Sequence, residues 1–262
     1  MFKRWFTRTP ASPPADSWRK ARQQTPLLAA LAPMEAELLA ERAWQFLRNK
    51  RLTRHVELSN APFDDADRLA IAGQACLLTL GWSDAEHREA FANVHEIVIL
   101  PDSFTREVEE MDEFGVVHQG IDERVGETSY QGPVVIAYAD LIESGDFVGF
   151  NVLIHELAHK LDMGNSMDID GFPPLPRSLS AKRWHAVFSS VWEDLNACLE
   201  KGLTPPIDDY AASHPGECFA VCCEYFFTAP DHLVEAYPAL YELLCDYFNQ
   251  APLGRLNAPE LG

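Results

Sequence analysis

The 262-residue sequence lacks an uninterrupted apolar run of the roughly 18 residues that a membrane-spanning helix needs. Its first residues are basic, but no apolar signal core follows them, so we expect no export and a cytoplasmic location. Cations are also scarce, because 21 Lys and Arg against 40 Asp and Glu give a formal net charge of −19. Such a charge repels a phosphate backbone, so we expect no direct binding of nucleic acid. The lack of a long apolar run gives the expectation of no membrane span.

Cysteine is infrequent as well, with six residues and no C-x-x-C pair. The pattern excludes a disulfide scaffold and predicts reduced, buried thiols in a cytosolic protein. Three of these cysteines fall on one expected helix, where they could compete for soft metals, but small core residues are the favoured interpretation. These three are Cys218, Cys222 and Cys223.

The charge is unevenly distributed along the chain. Residues 1–25 contain six cations and one acid, so this segment is formally +5 and the remainder is −24. Hydrophobic residues make up 47% of the sequence, which is enough to bury a sizeable core. We therefore predict a flexible basic arm at 1–26, one domain at 27–252 and a C-terminal tail at 253–262, with the arm as a candidate binding or membrane-surface element.

Hydrophobic periodicity predicts an α+β fold in which helices outnumber strands around a small twisted mixed sheet. Strands are expected at 94–100 and at 134–138, the second lying just before a helix. The acidic segment 107–120 is expected to be a mobile loop, and the acidic loop around residues 105–130 is expected to cover or gate the cleft. Helices are expected at about 34–50, 64–81, 147–163, 180–200, 215–227 and 231–249.

One motif, His155-Glu156-Leu157-Ala158-His159, carries the clearest chemistry in the sequence. On an α-helix, His155 and His159 lie one turn apart on the same face, so both imidazoles can bind one metal ion. Glu156 points about 100° round the helix, where it can act on a water without occupying a ligand position. The apolar flanks indicate a buried helix and favour a zinc site over two surface histidines.

A catalytic zinc site needs a third protein ligand, and two glutamates on a later helix are candidates. Glu217 follows Pro215 at the start of the expected helix, beside a loop that contains Tyr210. Glu224 lies on the same face, roughly 10 Å further along the axis, so the two cannot bind the same ion. We prefer Glu217 as the ligand, with Glu224 supporting a ligand or serving a structural role.

The segments "HELAHKLDM" and "DDYAASHPGECFAVCCEYFF", with "GVVHQGIDERVGE" and "QGPVVIAY", resemble the Mlc titration factor A family of zinc metallopeptidases. That family is similar in turn to the catalytic domain of anthrax lethal factor, within the Glu-zincin group. The resemblance implies a zincin-like fold with the metal site between two helices. Zincins place an edge strand just before the site helix, so the strand at 134–138 is expected to be the edge of the sheet. It also implies one Zn²⁺ bound by His155, His159 and Glu217, with Glu156 as general base and Tyr210 stabilising the oxyanion.

Two further residues near this site have open roles. The resemblance implies that His118, in the upstream loop, can reach the zinc in a self-inhibited state, although the sequence alone describes an ordinary loop histidine. Asp162 follows His159 by three residues, so it could orient a ligand imidazole or stabilise the end of the helix.

Two functions are compatible with these residues. The first is a peptidase, aminopeptidase-like on short peptides according to the resemblance, with a peptide as its substrate. The second is regulatory, because the family takes its name from binding Mlc, a repressor of glucose-uptake genes. The two roles can coexist on different surfaces. The alternative is a non-catalytic protein that titrates a repressor and whose zinc site is structural or inhibited.

Overall fold

The computed structural model describes residues 12–101, 104–111, 117–124, 126–128 and 132–257, with the strands between 104 and 128 described by their backbone alone. The helices of this part are α1 (Ala15–Gln23), α2 (Pro26–Ala29), α3 (Pro33–Asn49), α4 (Asp65–Leu77), α5 (Asp84–Ala90), α6 (Tyr138–Glu143), α7 (Val152–Asp162), α8 (Ala181–Glu200), α9 (Pro215–Thr228), α10 (Pro230–Ala236) and α11 (Pro238–Phe248). Its strands are β1 (Arg51–Arg54), β2 (Glu96–Leu100), β3 (Phe104–Met111), β4 (Val117–Arg124), β5 (Gly126–Thr128) and β6 (Val134–Ala137). Short 3-10 helices lie at Val56–Asn60, Asp209–Ala212 and Pro252–Asn257.

A small mixed sheet in the order β1-β2-β6-β5 forms one layer of the fold. The first three of these strands run parallel, with Ile97 opposite Val134, and β5 runs antiparallel to β6. Residues of β2 and β6 alternate between buried and partly buried positions, as expected for strands that cover a helical layer on one face. The structure is thus α+β and rich in helices, which confirms the expected class.

The edge of this sheet differs from the expectation. We expected the strand at 134–138 to be the edge, but β6 pairs with β2 on one side and with β5 on the other. The edge next to α7 is therefore β5, whose three residues give almost no periodic signal in the sequence. The site helix follows an interior strand rather than an edge strand.

The acidic segment expected to be a loop at 107–120 instead contributes to two antiparallel strands. β3 pairs with β4 from Phe104 opposite Arg124 to Met111 opposite Val117. Because the pairing is satisfied between the two backbones, the segment needs no apolar alternation to form strands. The acid-rich composition therefore misled the prediction.

The core lies between the sheet and the helices, and α7 runs through its centre. Leu153, Ile154, Leu157 and Ala158 are all fully buried, so this helix is apolar on most of its circumference. A second part of the core is aromatic and joins α8, α9 and α11. Its members include Trp184, Phe188, Phe219, Phe226, Tyr247 and Phe248, whose ring centroids lie 4.7–6.2 Å from neighbours in the cluster.

Both ends of the described chain pack against neighbouring helices. In α1, Ala21 is fully buried and Arg22 donates hydrogen bonds to the carbonyl oxygens of Leu28 and Ala29, so 15–26 packs on the domain. At the other end, Arg255 is buried and donates to Glu35 at 2.8 Å, so residues 253–257 also belong to the domain. Residues 1–11 and 258–262 lie outside the described residues, and for them the arm and the tail stay predictions.

The expected helix at 231–249 is interrupted in the structure. Tyr237 takes an extended conformation with φ −136° and ψ 70°, and Pro238 opens α11. Proline disfavours the helical conformation of the residue before it, which explains why α10 ends here.

Candidate metal centre

Helix α7 presents two histidines on one face. Asn151 caps the helix, since its side-chain oxygen accepts the N–H of Ile154 at 3.0 Å. The amide nitrogen of the same side chain donates to Gln74 at 2.7 Å, which ties the start of α7 to α4. One turn further on, the Nε2 atoms of His155 and His159 lie 3.2 Å apart.

Helix α9 brings a carboxylate to these two imidazoles. His214 caps the helix, and Glu217 lies in its first turn. The Oε2 atom of Glu217 lies 3.0 Å from Nε2 of His155 and 3.2 Å from Nε2 of His159. Three potential ligand atoms from two helices thus form a nearly equilateral triangle.

A close backbone contact fixes the start of α9 against the end of α7. Gly171 has φ +75°, and a Cβ there would lie 2.6 Å from the carbonyl oxygen of Pro215. The N–H of Gly171 donates to Asp162 at 2.8 Å, and its carbonyl accepts from Trp184 at 2.9 Å. The Asp162 carboxylate thus ties the loop after α7 to the last residue of that helix, and burial raises the pKa of this carboxyl to about 7. Its role towards a ligand imidazole stays a prediction.

Glu224 contacts the opposite side of the His155 ring. Its Oε1 atom lies 2.8 Å from Nδ1 of His155, and its Oε2 accepts the backbone N–H of Asn151 at 2.6 Å. Because a carboxylate only accepts hydrogen bonds, Nδ1 carries the hydrogen in the neutral imidazole. With Nδ1 donating to Glu224, Nε2 is the nitrogen that would bind a metal, at the position where it now contacts Glu217.

The pKa values reflect a buried site with an excess of carboxylates. Burial lowers the pKa of His155, but hydrogen bonds with Glu217 and Glu224 outweigh it and raise that pKa well above its ordinary value. Burial also lowers the pKa of His159. Burial raises the pKa of Glu217, yet its hydrogen bonds with the two histidines outweigh this and hold it far below its usual range. With Glu156 and Glu224 buried nearby, the site favours a cation.

The donor set fits a divalent metal ion. Tetrahedral zinc with bonds of about 2.0–2.1 Å has ligand atoms roughly 3.3 Å apart, close to the 3.0–3.2 Å between these three atoms. Two imidazole lone pairs and a carboxylate oxygen that face one point repel each other unless a proton or a cation lies between them. His155, His159 and Glu217 could therefore hold a divalent ion.

Two polar residues lie beside this cluster. Glu156 is 3% exposed and follows His155 on α7. Tyr210, which is 46% exposed, lies in the 3-10 helix before α9, and its ring centroid is 6.1 Å from that of His155. The backbone N–H of Tyr210 donates to the Asp208 carboxylate at 2.9 Å, which holds the tyrosine at the mouth of the site.

Sequence comparison with known proteins agrees with this geometry. A profile of the family described as glucose-regulated metallo-peptidase M90 matches residues 2–249. The chain belongs to this family.

The matches to named bacterial relatives extend over almost the whole chain. A protein called Mlc titration factor A from Edwardsiella ictaluri (strain 93-146) is 39% identical over 257 residues, which are 96% of this chain and 94% of the relative. Proteins of the same name from Yersinia pestis (strain Pestoides F) and Yersinia pseudotuberculosis (serotype O:1b, strain IP 31758) are each 35% identical, over 96% of this chain and 91% of theirs. These matches confirm the resemblance, and a helix-rich zincin-like α+β domain agrees with the M90 family.

The remaining expectations about the site have separate outcomes. His118 lies on β4, opposite Glu110 in the backbone pairing, but its side chain lies outside the described residues, so its metal contact stays a prediction. Cys218, Cys222 and Cys223 are buried in the core, as expected. Among the described residues, none of the helices has both the length and the apolar character to cross a bilayer.

Sequence reasoning missed a buried lysine beside the metal cluster. Lys160 follows His159 and is fully buried, with Nζ donating to the carbonyl of Gly132 at 2.9 Å. Burial lowers its pKa to about 8, although the charge of Glu156 one turn earlier opposes the shift. The only signal in the sequence was a cation within a helix whose remaining polar residues already belonged to the expected metal site.

Proposed function

We propose that this chain is a zinc-dependent peptidase with His155, His159 and Glu217 as its zinc ligands. The observation that carries the proposal is the convergence of the two Nε2 atoms and one carboxylate oxygen within 3.0–3.2 Å of each other. Such a ligand set leaves the fourth tetrahedral position open, as in catalytic rather than structural zinc sites. Membership of the M90 family supports a hydrolytic use of the metal.

When bound, the zinc ion supplies Lewis-acid polarisation of the scissile carbonyl and lowers the pKa of a water. Glu156 accepts the proton of the attacking water on its carboxylate and then passes it to the leaving amine. Glu224 keeps the hydrogen of His155 on Nδ1, so the Nε2 lone pair stays available to the metal. The hydroxyl of Tyr210 donates a hydrogen bond to the oxyanion that develops on the carbonyl oxygen.

The substrate is a short peptide bound in an extended conformation. β5 is the edge of the mixed sheet next to α7, so a peptide can add its backbone to this edge as a further strand. The aminopeptidase-like preference follows from the family resemblance, and a net charge of −19 is compatible with a free amino terminus. All six cysteines are free, which supports a reducing compartment such as the cytoplasm.

A regulatory role through Mlc, or a repressor like it, is the second part of the proposal. It is supported by the description of the family as glucose-regulated and by the name of the relatives. The alternative is a protein that only binds the repressor, with a zinc site that is structural or inhibited.

The proposal is tested by removing and restoring the metal. We expect the purified chain to contain one zinc ion and to hydrolyse short amino-acyl chromogenic substrates. Dialysis against a chelator should abolish hydrolysis, and one equivalent of zinc should restore it, with metal content measured by atomic emission on the same samples. Tight zinc binding without any hydrolysis of short peptides would instead support the binding-only alternative.

Replacing Tyr210 with Phe tests the oxyanion donor. We expect kcat to fall by about 10²–10³-fold with unchanged zinc content, because one hydrogen bond to the developing charge is lost. Tyr237→Phe is the matched control, since it removes a hydroxyl that donates to Asp194 at 2.9 Å at the α10–α11 junction. Equal rates for Tyr210→Phe and wild type would remove Tyr210 from the mechanism.

A further inference from the structure

A cavity of about 510 Å³ borders the 3-10 helix that carries Tyr210, and Asp208 and Asp209 are part of its lining. One wall comes from Phe147 and Val148, ahead of α7, and a second comes from residues 204–209. Tyr225 on α9, with residues after it, closes the remaining side. The volume lies in the range of pockets that bind small ligands or large side chains.

Each wall is formed by residues that lie close along the chain to residues of the site described above. The first wall leads to Asn151, which accepts the N–H of Ile154 and donates its own N–H to Glu224. The second ends at Asp209, immediately before Tyr210, and the third includes the residue that follows Glu224. The potential metal ligands do not line the cavity. It is connected to them through Asp208, whose carboxylate accepts the N–H of Tyr210, and the Tyr210 ring centroid lies 6.1 Å from that of His155. A substrate side chain that passes Tyr210 would therefore reach the cavity.

Hydrogen bonds join these walls to one another, so the shape of the cavity is fixed by contacts within the folded chain. The side chain of His232 contacts the carbonyl oxygen of Pro206, and the Tyr225 hydroxyl is bonded to the backbone of Asp208. The Tyr225 ring also packs under Gly149, where a Cβ would lie 3.2 Å from it and where φ is +82°. A side chain at residue 149 would thus be strained and would press on the floor of the cavity.

The lining is mostly apolar, and its charge is of one sign. Apolar and aromatic side chains and prolines provide most of the surface, and Val148 is 63% exposed at its mouth. Asp208 and Asp209 are both exposed, and Asp208 is already committed to the backbone of Tyr210. Burying an apolar side chain in this cavity makes the free energy of binding more favourable. An acidic side chain would bind less well because it meets charges of the same sign.

We propose that this cavity is the specificity pocket of the enzyme and accepts a large apolar side chain of the residue on one side of the scissile bond. The proposal rests on the peptidase function above and adds the substrate class to it. Peptides with Leu or Phe next to the scissile bond are good substrates, whereas those with Gly or Asp at the same position are poor ones.

The test compares two matched dipeptide series, X-Ala and Ala-X, with X as Gly, Leu, Phe or Asp. In one of the series, kcat/KM for Leu or Phe should exceed that for Gly by at least about tenfold, which is the discrimination that even one methylene gives in an apolar pocket. Val148→Asp adds a further negative charge at the mouth, besides those of Asp208 and Asp209, and should reduce this ratio to near one. Ile142→Asp is the matched control, since Ile142 is 66% exposed and does not line the cavity, and it should keep the wild-type ratio.

A binding measurement separates failure of the pocket from failure of the peptidase. Zinc-loaded Glu156→Gln protein is titrated calorimetrically with the same dipeptides, with and without Val148→Asp. Tighter binding of the Leu or Phe peptide, lost in the double variant, supports the pocket even if no variant hydrolyses anything. Equal binding of all peptides, or a wild-type preference for apolar residues that Val148→Asp leaves intact, overturns it.

Discussion

Replacing Glu156 with Gln is expected to lower kcat/KM for short peptides by about 10²–10⁴-fold, the usual contribution of a general base. Gln has nearly the same size, so it fits the buried position of Glu156, but it cannot accept the proton of the attacking water. Zinc content should stay at the wild-type level, because none of the three potential ligands changes. The measurements are steady-state kinetics and metal analysis on the same preparation.

The same variant separates the two proposed roles. If the peptide substrate and the repressor bind to different surfaces of the protein, Glu156→Gln should retain wild-type affinity for an Mlc-type repressor. This affinity is measured by calorimetry or by release of the repressor from DNA. Loss of repressor binding in a variant with a native circular dichroism spectrum would show that the surfaces are not separable. Undiminished hydrolysis would exclude Glu156 as the base.

Replacing Glu217 with Ala is expected to weaken zinc binding by more than about 100-fold. The variant removes one of three converging ligand atoms, and it leaves the facing Nε2 atoms of His155 and His159 without the carboxylate between them. Affinity is measured by competition with a chromogenic chelator, and thermal unfolding of the metal-free proteins controls for loss of structure.

Glu224→Gln provides the graded comparison for this prediction. Glu224 contacts Nδ1 of His155 rather than Nε2, so its loss should weaken zinc binding only by about 10–100-fold, as is typical for partners of ligand imidazoles. A larger loss in Glu224→Gln than in Glu217→Ala would reverse the assignment and make Glu224 the third ligand.

The parts of the site that the sequence could predict are those set by local geometry. His155 and His159 share a face because any α-helix places residues four apart together, and apolar flanks identified the helix. Two turns separate Glu217 from Glu224, so only one of them can bind the ion, and the neighbouring loop with Tyr210 favoured Glu217. In the structure, Glu217 lies against Nε2 of each histidine and Glu224 lies against Nδ1 of His155.

The parts that the sequence could not predict depend on contacts between distant segments. β1 is a four-residue, half-exposed strand with two arginines, and it forms because its backbone pairs with β2. β5 pairs with β6 and occupies the edge position that we expected for β6, but the sequence of β5 has no periodic pattern that predicts a strand. Lys160 is buried because the carbonyl of Gly132 accepts its hydrogen bond, a partner 28 positions away along the chain.

The contact of Glu224 with both His155 and Asn151 has a consequence for folding. One carboxylate bridges a potential metal ligand and the backbone at the first turn of α7, from a helix more than 60 residues later in the chain. A metal held by these helices is therefore a ligand of the folded state alone, because unfolding scatters its donors. Occupancy then adds RT ln(1 + [M]/Kd) to the free energy of unfolding, or about 2.7 kcal/mol when free metal is 100 times Kd. Through this thermodynamic linkage, the lifetime of the protein against proteolysis depends on the metal supply of the cell, independently of any peptide it hydrolyses.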